Sequence, residues 1–323
     1  FNKTLKFAGA ETARHTIDTA EYELPDSSKV NELFFINGVF SFERSVIRSK
    51  DLLVQPLGEA MKGEHAAIIG ENLGHSDAYL KDGIHALNAA LLNGAVFIGI
   101  PKGVKLEHPV YIYHLNDGQT LALPRSLVYI GTRAEVTLVE THSSLAVGES
   151  FTNQVMEVVM DRDSIVEYYK LEDDVQTASL VSTTHFRQRG RSHLHAVTIS
   201  LNGAIVRNNM NVVFYDEHGE AHLYGLYFPV GKTHIDNHTI VDNAKPHCFS
   251  NEFYKGVLGD QGTGVFNCKI YVRQDAQKTN AYQSNKNILL SESASVNTKP
   301  QLEIFADDVK CSHGCTVGKL DET

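Results

Sequence analysis

At 323 residues, with 29 Lys and Arg against 39 Asp and Glu, the chain carries a formal net charge of −10. That balance excludes non-specific nucleic-acid binding, because phosphate backbones are held by clustered cations. No window approaches the roughly 18 consecutive apolar residues of a membrane-spanning helix, and the longest candidate, residues 95–100, stops at Pro101. The expectation is a soluble protein that partners neither nucleic acid nor membrane.

The length suggests about two domains or one elongated all-β unit. Four cysteines, at 248, 268, 311 and 315, are too few for a secreted disulfide framework. A reducing, cytoplasmic location is therefore expected. The chain opens on Phe1 and closes on a charged run, so it reads as part of a longer one.

Residues 1–32 show no sustained period, and Pro25-Asp-Ser-Ser28 reads as a turn within a connector. In Leu33-Phe-Phe-Ile-Asn37-Gly38-Val-Phe-Ser-Phe42 two apolar runs flank Asn-Gly, the dipeptide suited to a type I′ hairpin. A helix over about 77–93 follows. Ser76 or Asp77 would cap it, Leu80, Ile84, Leu87 and Leu91 form one apolar stripe read as core, and Gly94 ends it. Residues 1–94 thus form a mixed N-terminal segment.

From Ala95 onward short β-rich runs recur: residues 96–100, 110–113, 127–130, 135–139, 155–160, 165–169, 195–199, 211–215 and 265–272. Turn signals separate them, among them Asn202-Gly203, His218-Gly219 and Gly259-Asp260. Strands without intervening helices mean an all-β unit: a sandwich, a barrel, or a coil turning in one direction. The run is far longer than a sandwich of about 100 residues needs, and its strand-corner-strand rhythm resembles stacked rungs. The fold expected for 95–323 is therefore a parallel β-helix, although no strict repeat is visible.

Metal-ligating residue types concentrate near the end. If Cys311-Ser-His313-Gly-Cys315 runs extended, Cys311, His313 and Cys315 share one face, a sulfur–nitrogen–sulfur set suited to zinc, ferrous iron or a cluster edge. A turn at Gly314 would scatter them, and a structural zinc site would need four ligands at other spacings. His234-Ile-Asp236-Asn-His238 places two imidazoles and a carboxylate on one strand face, able to hold non-haem iron or simply to hydrogen-bond one another. His193, His195, His218 and His222 give weaker signals. His247-Cys248 near Lys255 offers a thiol with a base, or a buried cysteine acting as a small hydrophobe. Gly256 to Gly264 lacks the Lys-Ser/Thr ending of a phosphate loop, so no ATP hydrolysis is expected.

The runs Tyr254-Lys-Gly-Val-Leu258, Gly264-Val-Phe-Asn267, Asp275-Ala-Gln-Lys-Thr279, Asn285-Lys-Asn-Ile-Leu-Leu-Ser291, Thr298-Lys-Pro-Gln-Leu-Glu-Ile304 and Ala306-Asp-Asp-Val-Lys-Cys-Ser-His-Gly314 closely resemble the SufB/SufD family of iron–sulfur cluster assembly proteins, its SufD side best. Upstream, Phe35-Ile-Asn-Gly38, Phe97-Ile-Gly-Ile-Pro-Lys-Gly-Val104 and Gly225-Leu-Tyr227 extend the resemblance from about residue 33 to the end. It implies a right-handed parallel β-helix core and a non-enzymatic scaffold beside SufB and the ATPase SufC, with no catalytic residues. It further implies that His313 lies at the SufB–SufD interface where a nascent cluster or its iron forms, with Cys311 as a second ligand. Such a cluster or iron would be transient in the assembled complex, and none is expected in the isolated chain. Two departures stand out: the family usually has Ala at the position of Cys315 and commonly Gly at that of Cys268. Its C-terminal helical region would begin after Glu322.

An alternative use of a β-helix is a polysaccharide-active enzyme, which would want aromatic platforms and paired carboxylates. Here there is no Trp, and the adjacent Asp307 and Asp308 would point to opposite faces of a strand. A plain structural metal protein is a third reading. The open edge near residues 300–315 would be covered by SufB or, in its absence, by a second copy, giving a two-fold homodimer.

Overall fold

The computed structural model describes residues 18–92, 94–118, 120–145 and 148–320. Its body is a parallel β-solenoid of about 8 turns. The chain alternates between two ten-stranded sheets, so each turn adds one strand to each. Within each sheet successive rungs pair parallel and mostly in register, as in His193–Asn202 with Glu220–Tyr227 and Thr263–Val272 with Ser295–Ile304.

Period-two alternation explains the burial. Along Thr263–Val272 every second residue is buried, because successive side chains point to opposite faces and only the inner face meets the facing sheet. Leu138, Met156, Val166, Phe186, Leu223, Phe266 and Ile270 belong to the one long core between the sheets. Corners are turned by residues in the left-handed region, including Asp163, His218 and Asp260 at φ of 58°, 62° and 49°. Two of these corners are the turn signals at 218–219 and 259–260, and a third, at Asn202-Gly203, has Gly203 at φ 143°.

The hairpin around Asn37-Gly38 is present: Ile36 pairs with Val39, and both turn residues take positive φ, 50° and 82°. The second antiparallel pair, Leu53–Pro56 with Val96–Ile100, brackets the helical part of the N-terminal segment. Strand Ser150–Met160 is buried on both faces, because Leu57, Ala60 and Ile69 of that segment pack on its Val159 and on Phe97 and Leu127 of the neighbouring strands in the same sheet.

The helix expected over 77–93 is shorter and oriented differently. A 3-10 turn, His75–Ala78, precedes an α-helix of eight residues, Gly83–Ala90, whose N-cap is Asp82, accepting from the His85 amide at 2.8 Å. Its buried face is polar. Asn88 donates to the carbonyls of Pro124 and Asn153, and His85 meets Ser76 Oγ at 3.2 Å and Asp77 at 2.8 Å. The stripe Leu80, Ile84, Leu87 and Leu91 is only partly buried, Leu91 being 41% exposed. The helix docks on strand ends that offer carbonyls, so hydrogen-bonding side chains rather than leucines make the contact.

Candidate functional site at the terminal rung

Strand Lys310–Lys319 pairs on one side only, with Asn280–Leu289, and is an edge of the first sheet among the described residues. It runs extended through Gly314, whose added Cβ would meet nothing within 4 Å. Register places Cys311 beside Ala281, His313 beside Gln283 and Cys315 beside Asn285. Those three neighbours are buried members of inward-facing columns. Gln283 continues Leu223 and Glu252, and Asn285 continues Gly225 and Tyr254. Cys311, His313 and Cys315 therefore stand on one face, the one that points inward on every preceding rung.

Cys311 is half-buried, while Cys315 and His313 are exposed. Burial pushes the Cys311 thiol up, and a hydrogen bond from the Ala281 backbone offsets only part of that. Cys315 is positioned by polar neighbours: Thr298 Oγ1 donates to its sulfur at 3.0 Å, and the thiol faces Asn285 Oδ1 at 3.9 Å. Asn285 in turn donates to the Tyr227 hydroxyl at 3.1 Å. This floor, formed by Gln283, Asn285 and Tyr227, was not singled out in the sequence, because its members come together only through the rung period. Two thiols and an imidazole on an open edge can each offer a soft or borderline ligand, but at a rise of roughly 3.3 Å per residue Cys311 and Cys315 stand about 13 Å apart, too far to close on one ion. Among the described residues these three are not a group whose ligand atoms converge.

The other sequence candidates are engaged differently. Asp236 and His238 do meet, Nε2 to Oδ1 at 2.8 Å, but Arg207 holds the second Asp236 oxygen at 3.1 Å and reaches His238 Nδ1 at 3.3 Å. The Arg207 guanidinium is thus the cation already paired with this carboxylate and imidazole. His234 lies two residues away on the same strand, in register with Ile205. His222 and His193 bracket Glu220 at 2.7 and 3.2 Å, and His195 pairs with Glu167. Cys248 is wholly buried, its sulfur against the carbonyls of Asp216 and Pro246, and burial pushes its thiol up to about 11. Its neighbour His247 stacks on His218 at 4.9 Å, while the sulfur meets backbone carbonyls. Asp308 is ion-paired to Lys278.

A second cluster lies inside the solenoid at the opposite end. His114 and His142 are register partners on adjacent rungs with rings stacked 4.5 Å apart. Between them and Lys170 sits Glu140, fully buried. Burial opposes ionisation of Glu140, but Lys170 and the His114 hydrogen bond outweigh it and hold the carboxyl well below the usual range. Sequence reading passed these residues over, since the 26 positions separating His114 from Glu140 become a contact only through the rung.

The family profile described as SUF system FeS cluster assembly, SufBD core domain, matches residues 113–323. The chain is 26% identical over 336 residues to a SufBD family iron–sulfur cluster assembly protein of Synechocystis, covering 99% of this chain and 73% of that protein. It is 28% identical to Escherichia coli SufD over 83% of this chain and 65% of the relative. Against Bacillus subtilis SufD it is again 28% identical, over 76% and 60% respectively. The chain thus spans about two-thirds of the length of these relatives.

Proposed function

The chain belongs to the SufBD family of iron–sulfur cluster assembly proteins, and on that premise we propose that it is a SufD-like, non-enzymatic scaffold that pairs with SufB and the ATPase SufC. In this reading His313 and Cys311 present ligands to iron or to a nascent cluster, the cargo of the complex, across a subunit boundary. Cys315 flanks them. The observation that carries the reading is the open strand Lys310–Lys319, whose one face holds Cys311, His313 and Cys315 without completing a coordination sphere. A neighbouring chain adding its own edge would extend the sheet and bring the missing donors.

Residues 95–323 are taken as the β-helix core, and the family's C-terminal helical region as lying beyond the sequence given. Without SufB, the same edge suits a second copy, so the isolated chain is proposed to form a two-fold dimer. Four free thiols fit a reducing, cytoplasmic compartment.

The test is reconstitution of the full-length complex carrying His313→Ala, with iron and acid-labile sulfide measured per complex. Cluster content is expected to fall severalfold, with a smaller fall for Cys311→Ser. Undiminished content in His313→Ala would overturn the assignment.

A further inference from the structure

The geometry points to a divalent transition-metal site inside the solenoid, formed by His114, Glu140 and His142 and binding zinc or ferrous iron. One ligand atom from each residue lies within 4.8 Å of the others, and all three residues are buried. His114 Nε2 and Glu140 Oε1 are already 2.9 Å apart. A tetrahedral ion with bonds near 2.1 Å holds its donors about 3.4 Å apart, so the remaining closure is about 1.4 Å at most, the scale of a ring rotation.

What points to a ligand is His142. It is 3% exposed, and neither of its ring nitrogens has a hydrogen-bond partner. His114 Nδ1 is likewise unpartnered. A buried imidazole without a partner forfeits the hydrogen bonds it made to water, and native interiors rarely leave one so. Both rings are packed, Phe35 stacking on His114 at 4.9 Å and His114 on His142 at 10° between planes, so one ring turns out of the stack for the two nitrogens to converge on an ion. This is the two-histidine, one-carboxylate donor set that suits borderline divalent ions and leaves further positions open.

Lys170 is the competing cation. Its ammonium lies 3.5 Å from Glu140 Oε2, where the Tyr168 hydroxyl also donates, and 3.1 Å from Thr184 Oγ1. It thus holds the oxygen away from the histidines, and Oε1 remains the ligand atom. At Asp236 and His238, by contrast, Arg207 contacts the imidazole itself. The site does not depend on the scaffold reading, since it lies at the other end of the solenoid from residues 311–315.

Metal binding to the isolated chain tests this, in a background of Cys311→Ser, His313→Ala and Cys315→Ser that silences the terminal rung. Zinc, and anaerobically ferrous iron, are titrated by equilibrium dialysis, with cobalt(II) as the optical probe, both on folded protein and during refolding. The expected result is one ion per chain, affinity at least tenfold lower in His142→Phe, which keeps a ring in the stack, and tenfold higher in Lys170→Met. The ion is also expected to raise the Tm of the background protein but not of His142→Phe. Equal binding by folded His142→Phe, or no stoichiometric binding by either the background protein or Lys170→Met, would overturn the site. Should His142→Phe fail to fold, X-ray absorption of the bound ion decides: two imidazoles support the site, and none refutes it.

Discussion

Tyr254 fills the space in which Gly225 would carry a side chain: a Cβ on Gly225 would lie 2.0 Å from the ring. The two residues are register partners on adjacent rungs, and the relation repeats one column over, where Tyr227 occupies the space beside Gly256. The motifs Gly225-Leu-Tyr227 and Tyr254-Lys-Gly256 are thus two halves of one packing unit, each glycine admitting the other strand's tyrosine.

Gly225→Ala should destabilise the protein by about 1–3 kcal/mol, the usual cost of an overpacked core. Gly314→Ala, in open space, should stay within about 0.5 kcal/mol of the parent. Urea unfolding of both variants checks this. Equal stabilities would mean that the Tyr254 ring has somewhere to move.

Arg125 and Glu157 are expected to hold the N-terminal helices to the solenoid. Arg125 Nη2 donates to Glu157 Oε2 at 2.9 Å, both residues being almost completely buried, and the same carboxylate accepts from the Gly74 and Ser76 amides and from Ser76 Oγ. Burial disfavours the Glu157 charge, but Arg125 and these donors prevail, leaving its pKa lowered. Removing one partner of such a pair costs about 3–5 kcal/mol. Arg125→Met should therefore open residues 57–90 to limited proteolysis while the solenoid stays intact. Because a lowered carboxyl stabilises above its unfolded pKa and loses that effect as pH falls, acid should release the segment in the wild type too.

Glu252 predicts the opposite pH response. Burial pushes its carboxyl up to about 7, against smaller opposing hydrogen bonds from Thr239 and Cys268. It faces the Cys268 thiol at 3.3 Å and lies beside Tyr254. A raised acid stabilises fully below its unfolded value near 4.5, and that contribution is lost as pH rises to about 7. The loss amounts to roughly 3 kcal/mol at 1.36 kcal/mol per unit. Glu252→Gln should abolish this component, so its Tm relative to wild type should climb between pH 5 and pH 8. A flat difference would show that the carboxyl ionises normally.

Thiol chemistry should divide the cysteines by rung. Cys248 and Cys268 are buried with raised pKa values, whereas Cys311 is half-buried and Cys315 exposed. A maleimide at low protein concentration should label two thiols in the native chain, Cys315 faster than Cys311, and four after denaturation. Mass spectrometry of the labelled peptides reads the order directly. Rapid labelling of Cys248 would contradict its placement.

The fold class was legible because a solenoid writes itself as short β-rich runs between turn residues, and the runs at 96–100, 135–139, 165–169 and 265–272 all lie within strands. The helix register was not, because periodicity reports where apolar residues fall but not what they face. Leu80 and Leu91 form a stripe in sequence, yet the docking surface offers the Pro124 and Asn153 carbonyls, so His85 and Asn88 turn inward.

For the terminal rung, the sequence by itself determined only that Cys311, His313 and Cys315 would share a face if the stretch ran extended, and the structure supplied the strand, which continues through Gly314. Only the tertiary structure decided which face that is, and that it lies on an open edge above Gln283 and Asn285. It alone brought together Gly225 with Tyr254 and His114 with Glu140 and His142. Such contacts depend on the number of residues in each turn of the solenoid, which its irregular corners vary, and no strict repeat in the sequence records it.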